Sequence, residues 1–414
     1  MANRRKGSFG RAGWVYFRRF RMAVWLLILA VLGALIYLNQ AGLPGFAKTP
    51  LLNNLRARGL DLQFSRLRLS WYRGIVAENV RFVRPDAPLS PQLTLAQVQV
   101  RLNLRALARL QIQTDALRLR KGRLVWPVAE THRAPRQLVL DQIQSELRFL
   151  PGDEWALDHF TAVFAGAKIR LSGTVTNASA VRHWTAFQAE PAPAGAPRRN
   201  WPGEIAEVLE RIHFSAPPEF KLDVRGDARV PHSFTIHALL NTPEAHTPWG
   251  RLVRGRVNAR LFPAATNDLS HAELNLEAGG AQTRWATATN LSLNARLAAF
   301  ASLTNWGNLE LTLCAERADS SWASAAHLTL ALQADAIAGQ TNLATTDAVL
   351  TVARAASRWG GATNAHLRAQ WMHSRADFQP LSGTASLHCA QASNSWATAR
   401  ELQINARLAM PGHD

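Results

Sequence analysis

The chain has 414 residues, 47% of them hydrophobic, which excludes disorder as the main state and is long enough for two or three ordinary domains. Two cysteines, Cys314 and Cys389, exclude a disulfide-stapled scaffold and any CxxC-type zinc or redox site. The net charge of +18 belongs to one end: residues 1–125 carry 22 Lys and Arg against 4 Asp and Glu, while residues 126–414 carry 25 of each. Most of the chain thus has no charge excess to offer nucleic acid.

Residues 1–21 form a basic tail that includes Arg4, Arg5, Lys6, Arg11, Arg18, Arg19 and Arg21, and no acid precedes Asp61. Residues 22–38, MAVWLLILAVLGALIYL, lack any charge, amide or hydroxyl apart from Tyr37. As a helix this stretch rises about 25 Å, near the lower limit for a bilayer core of roughly 30 Å. Trp14, Tyr16, Phe17, Phe20, Trp25 and Tyr37 supply interfacial aromatics, and the basic flank places the N-terminus in the cytoplasm. A cleaved signal peptide has the same layout, but its apolar region usually runs about 7–15 residues, and YLNQAGLPG offers no A-x-A site. The expectation is an uncleaved single-pass anchor in the inner membrane, with everything from residue 41 onward exported to the periplasm.

Residues 41–128 change texture. TPLLNNLRARGL reads as a short amphipathic helix capped by Thr49, with Pro50 in its first turn. The alternating stretches DLQFSRLRLSW, GIVAENVRFVR and QLTLAQVQVRLNL read as strands, followed by a short helix RALARL and the strand IQTDALRLRKGRLVWPV. Arg66 and Arg68 take one parity and Leu67 and Leu69 stand against them. Two readings stay open for these arginines: a basic surface beside anionic headgroups, or a solvated strand face in an arginine-rich chain.

An N-terminal anchor, then GLDLQFSRLRLSWYRGIVAENVRFVRP, then LTLAQVQVRLNLRALARLQIQTDALRLRKGRLVWPV, resembles the N-terminal module of the AsmA-like envelope proteins. That family includes TamB-type proteins and, more remotely, the bridge-like lipid transfer proteins. The resemblance covers roughly residues 22–128 by pattern. It implies an inner-membrane anchor, a periplasmic β-groove of taco-like cross-section and a role in moving phospholipid toward the outer membrane. The family has no catalytic motif, so the resemblance transfers no active-site residue.

Residues 129–188 continue the strand texture in RQLVLDQIQSELRFL and HFTAVFAGAKIRLSGTVTNAS. Residues 189–213 hold a Pro/Ala-rich break, AEPAPAGAPRRNWPG, and then a helix in PGEIAEVLERIHF with Ile205, Val208, Leu209 and Ile212 on one face. This insertion plugs or edges a groove, or packs outside it. Strands resume at FKLDVRGDARV and SFTIHALL.

Residues 214–414 carry a repeat. Trp249, Trp285, Trp322, Trp359 and Trp396 recur at intervals of 36, 37, 37 and 37, and Leu276, Leu313, Leu350 and Leu387 keep step 37 apart. A fixed period implies stacked supersecondary units. In the second unit Trp285, Leu291, Leu293, Ala295 and Leu297 share one parity, with Asn290, Ser292, Asn294 and Arg296 on the other. Period 2 over about a dozen residues means a strand with one apolar and one wet face. AELNLEA, LELTLCA, AVLTVAR and ASLHCAQ supply the second strand of each unit, with turns at AATNDLS and SGT. The predicted fold class is therefore mainly β: a transmembrane helix, then an elongated antiparallel repeat sheet with a few short helices. At about 25 cal/mol per Å² the continuous apolar side does not stay in water. A second layer covers it, the sheet closes into a barrel, or it curls into a groove for an apolar ligand; the linear repeat and the lack of a lid helix favour the groove.

A search for chemistry finds little. The 13 histidines are scattered without HExxH or H-x-H, His327 and His366 fall on the wet parity, and no G-x-S-x-G, Walker A or GxGxxG occurs. Asp153 and Glu154 read as solvated loop acids, and Cys314 and Cys389 as free thiols on opposite faces. No enzyme, cofactor or metal site is expected. The first reading is a passive phospholipid conduit lined by Leu274, Leu276, Leu291, Leu293, Leu311, Leu313, Leu328, Leu330, Leu350, Leu402 and Ile404. The five tryptophans then stand as core or groove-rim residues rather than a stacking platform for bases or sugars. The second reading is a non-catalytic scaffold whose edge strand at LQINARL pairs with an outer-membrane or surface protein, or with a second copy of this chain. A secreted β-helical adhesin conflicts with the basic anchor.

Overall fold

A computed structural model describes residues 21, 22, 24, 26, 29, 33, 61–70, 74–83, 92–103, 114–128, 136–164, 166–183, 211–230, 233–263, 270–300, 307–337, 342–375 and 380–409. The helix expected after Thr49, the RALARL helix, the break at 189–203, residues 202–210 of the helix expected in PGEIAEVLERIHF and most of the expected anchor lie outside them. Met22, Val24, Leu26, Leu29 and Gly33 of the expected anchor are described, as exposed helical residues. Among the described residues no helix is long and apolar enough to cross a membrane. What is described is mainly β. It divides into two compact units, Met1–Glu146 and Leu147–Asp414.

In the first unit β1 (Asp61–Gln63) and β2 (Arg66–Ser70) both pair with β3 (Gly74–Val83), and β4 (Gln92–Leu102) and β5 (Thr114–Val128) continue the antiparallel meander. Strand β6 (Arg136–Leu150) has residues in both units. Leu67, Val76, Val80, Leu95, Ala116 and Ile143 are buried. Gly74 has φ +76°, and a Cβ there meets the Val100 carbonyl oxygen at 2.2 Å, so glycine is required where β3 begins. Several arginines of this unit are ion-paired with acids across the sheet: Arg68 with Glu78, Arg118 with Glu146 at 2.6 Å, and Arg123 with Asp141 at 3.2 Å.

In the second unit β7 (Glu154–Phe164) and β8 (Ala167–Thr176) form a hairpin, followed by a 3-10 turn, η1 (Ala178–His183). Asp153 holds η1 in place: its carboxylate accepts the Ser179 N–H at 3.1 Å and the Ser179 hydroxyl at 2.5 Å, so it is a structural cap rather than a merely solvated acid. Next come β9 (His213–Phe214), β10 (Glu219–Asp227), β11 (Thr235–Thr247) and β12 (Gly250–Phe262). The repeat supplies β13 (Ser270–Thr283), β14 (Ala286–Phe300), β15 (Asn308–Ser320) and β16 (Ala323–Ala336). It continues as β17 (Leu343–Ser357), β18 (Gly360–Ser374), β19 (Pro380–Ser393) and β20 (Thr398–Ala409). From β10 to β20, leaving β9 aside, each strand pairs antiparallel with the next. The sheet is open.

Two expectations are corrected here. The sheet is not antiparallel throughout: β8 and β10 run parallel, from Glu219 opposite Lys168 to Asp227 opposite Thr176. Parallel neighbours need a crossover rather than a tight turn. The connection through residues 177–218 makes that crossover, and the Pro/Ala-rich break lies within it. At its end His213 and Phe214, read as the close of a helix, are strand β9, pairing with His246 and Ala245 of β11.

The repeat has a second regularity. Arg254, Asn290, His327, Asn364 and Glu401 all take φ between 48° and 53°, each five residues after a repeat tryptophan. Such left-handed residues kink a strand and add to its twist and bend. They also switch its faces. In β14 Ala286 and Ala288 are half-buried and Thr287, Thr289 and Asn290 exposed, whereas beyond Asn290 it is Leu291, Leu293 and Ala295 that turn inward. The parity read unbroken from Trp285 to Leu297 therefore reverses at Asn290.

Candidate functional site

The period determines which side chains meet. Leu276, Leu313, Leu350 and Leu387 lie on alternate strands, and Leu293, Leu330, Leu367 and Ile404 recur at the same step of 37 on the strands between. Antiparallel pairing at constant register sets them directly opposite one another: Leu276 against Leu293, Leu293 against Leu313, Leu313 against Leu330, and so on to Leu387 against Ile404. The row continues in the other direction through Val257, Leu240, Phe220 and Ile169 to Ala162 of β7. An unbroken aliphatic and aromatic row thus crosses thirteen strands, every strand from β7 to β20 except β9. Twelve strand spacings of about 4.8 Å make it roughly 58 Å long.

Two further rows flank it. One contains Leu222, Ala238, Ala259, Leu274, Ala295, Leu311 and Leu332, and ends in Ala348, Ala369, Ala385 and Ala406. The other sets Leu291 against Ala278 and leads from Ala315 through Leu328, Val352, Ala365 and Cys389 to Leu402. All eleven predicted lining residues fall on these three adjacent rows. Leu367, Val257 and Leu240 belong to the same surface and escaped the sequence reading, although their alternation within β18, β12 and β11 was there to be read; Leu387, read in the 37-residue leucine series but not as lining, belongs to it too.

None of the eleven is buried: ten are half-buried, and Ile404 is 49% exposed. A depression of about 240 Å³ opens on this surface, lined in part by Ile236, Ala238, Leu261, Leu274, Leu297 and Leu309. The most enclosed apolar side chains nearby, Ala334 and Ala344, pack with Leu297, Leu309 and Leu332.

The alternate positions are polar. Arg260, Glu273, Arg296 and Glu310 stand opposite one another in sequence, charges alternating, and Asn258, Asn275 and Asn294 form a second ladder. Asp347 accepts bonds from Arg368 at 2.5 Å and Gln370 at 3.0 Å, and the Arg368 guanidinium above all holds its carboxyl below the usual range. Arg251, with a smaller part from His246, does the same to Glu244. Cys314 pairs with Ser292 and Thr329 on this polar side, Cys389 with Ala365 and Leu402 on the apolar one, and both thiols are free. His327 and His366 are exposed, each on a separate strand. Among the described residues no His, Cys, Asp or Glu side chains gather in a way that holds a metal ion.

The repeat tryptophans occupy the hairpin turns β11–β12, β13–β14, β15–β16, β17–β18 and β19–β20, all at one rim. They are exposed by 66%, 60%, 65%, 63% and 89% in chain order. Each turn has the same clamp two residues earlier: Thr247, Thr283, Ser320, Ser357 or Asn394 accepts the tryptophan N–H at 2.9–3.2 Å. In the first four the clamp hydroxyl also donates to the carbonyl of the residue after the tryptophan, at 2.9–3.1 Å. Arg284 and Arg358 lie over the rings of Trp285 and Trp359, 4.0 and 4.2 Å from the centroids. The clamp residues follow the tryptophan period, and four of the five were legible as Ser or Thr two residues before Trp, with Asn394 in the fifth. Comparison of the chain with protein-family models, with curated proteins and with solved structures finds no match.

Proposed function

We propose that the apolar surface of β7–β20 binds the acyl chains of phospholipid and lets them pass along it while headgroups stay in water at the rim. One observation carries this reading: thirteen strands present one continuous aliphatic row, and its leucines are half-buried rather than covered. Each half-buried leucine favours an apolar guest by about 25 cal/mol per Å² of remaining surface taken from water. Passive transfer needs no nucleophile, general base or metal. With the basic tail, the apolar stretch 22–38 and the AsmA-like pattern of residues 22–128, the full proposal is an inner-membrane anchor, a periplasmic groove of taco-like cross-section, and lipid movement toward the outer membrane. The test is mass spectrometry of the gently solubilised chain beside the variant Leu293→Asp/Leu330→Asp. Phospholipid should accompany the first and fall in the second, where two charges interrupt the middle of the row, while circular dichroism stays unchanged; equal lipid content in both rejects the proposal.

A second reading rests on β20. Its described side chains are exposed save Leu402, and among the described residues it pairs on one side alone, with β19. Such an edge suits strand addition by an envelope protein during assembly. Photo-crosslinkers at positions 402–408 separate the two: a lipid adduct supports the conduit, a protein adduct the scaffold.

A further inference from the structure

The five turn tryptophans are an anomaly of the fold. A two-residue hairpin turn favours Gly, Asn or Asp, and a large indole there leaves 60% or more of its surface in water. Yet the residue recurs at all five of these turns, each time with the clamp that fixes its backbone. Successive tryptophans are two strands apart, about 9.6 Å, so the row is roughly 38 Å long. Four turns hold two residues each, Pro248–Trp249, Arg284–Trp285, Ser321–Trp322 and Arg358–Trp359, and the fifth spans Asn394–Ala397. Together they contain two arginines and no acid.

We infer that this rim docks on a lipid bilayer, with the indoles at the level of the headgroups and Arg284 and Arg358 against anionic lipid. Indole suits that depth because its ring is apolar and its N–H stays hydrated. The charge is complementary: a cation is attracted to the surface of an anionic leaflet, and no carboxylate in the turns opposes it. A polysaccharide is the other partner a line of tryptophans suggests. The turns offer it no carboxylate to hydrogen-bond sugar hydroxyls, and arginine already covers one face of Trp285 and of Trp359. The inference stands on the turn residues and is independent of what the aliphatic face holds.

The experiment reconstitutes the full chain into phosphatidylcholine vesicles containing a minority of phosphatidylglycerol, with and without brominated acyl chains, and reads tryptophan quenching. The comparison is a variant with Trp249, Trp285, Trp322, Trp359 and Trp396 all changed to Ser, the clamp residues kept so that the hairpins close. The wild type should show the larger quenched intensity, and the difference should shrink several-fold in pure phosphatidylcholine, in high salt, and in Arg284→Ala/Arg358→Ala. The single variants Trp285→Ser and Trp359→Ser should each lose part of it, which keeps the test valid if the fivefold variant folds poorly. Equal quenched intensity with and without the five tryptophans overturns the inference. So does emission that responds to a soluble β-linked glycan and not to brominated lipid, an outcome that assigns the rim to polysaccharide.

Discussion

At the scale of single residues, the hydroxyl clamps and the Asp347 cluster make the sharpest claims. Thr283 accepts two backbone N–H bonds and donates one, so Thr283→Val keeps the side-chain shape and strands three turn groups. Because the turn is exposed and water replaces part of the loss, the expected cost is about 0.5–1.5 kcal/mol by urea denaturation, with Thr283→Ser close to wild type. Asp347 sets a pH dependence. Its carboxyl is held below the ordinary value of about 4 by Arg368 and Gln370. The stabilisation is therefore complete above that ordinary value and disappears as pH falls through the lower folded value. Asp347→Asn should be less stable than wild type at pH 7, and the gap should close in acid; a constant gap across that range means the ion pair contributes nothing to folding. The clamps could be read from sequence because they share the tryptophan period. The Asp347–Arg368 pair could not, since it depends on which strand of the repeat lies beside which.

At the scale of strands and turns, the left-handed positions decide how the sheet bends. Arg254, Asn290, His327, Asn364 and Glu401 share a conformation and no chemistry, which is why sequence reading passed over them. Asparagine tolerates φ near +50°, whereas a β-branched residue does not. Asn290→Val should thus destabilise by about 1–2 kcal/mol, while Asn290→Gly should stay within about 0.5 kcal/mol, both read as shifts in the urea midpoint. Equal effects would mean that β14 reaches its face reversal some other way. In the first unit Gly122 is limited by packing instead. A Cβ there meets Leu95 Cδ2 at 2.6 Å and Ile143 Cβ at 2.9 Å, and Ile143 cannot swing its own Cβ aside. Gly122→Ala should cost about 1–3 kcal/mol. The strands and their apolar faces were legible because period 2 survives on either side of each kink. The parallel β8–β10 pair was not, because the connection that produces it carries neither the period nor any pairing signal of its own.

At the scale of the second unit as a whole, the lipid binding proposed for the aliphatic surface takes one of two forms, separate patches or a path, and the two make different predictions. If acyl chains move along the row, they pass Leu330 of β16, which has Leu313 and Leu350 opposite it. A guanidinium at that point presents a charge that a passing chain must strip of water or go around. Any barrier it adds above about 1.4 kcal/mol slows passage tenfold, while stretches of leucine on either side still hold lipid. Leu330→Arg should therefore retain most of its co-purifying phospholipid and transfer labelled lipid between donor and acceptor vesicles at least about tenfold more slowly than wild type. Ala406→Arg lies in β20 on a flanking row, at the end of the surface, and should reduce transfer much less. Patches acting separately predict the opposite pattern, with bound lipid and transfer falling together and by similar amounts wherever the charge is placed. Measuring both quantities on the same two variants thus distinguishes a conduit from a store, because only movement through the middle of the row makes Leu330 matter more than Ala406.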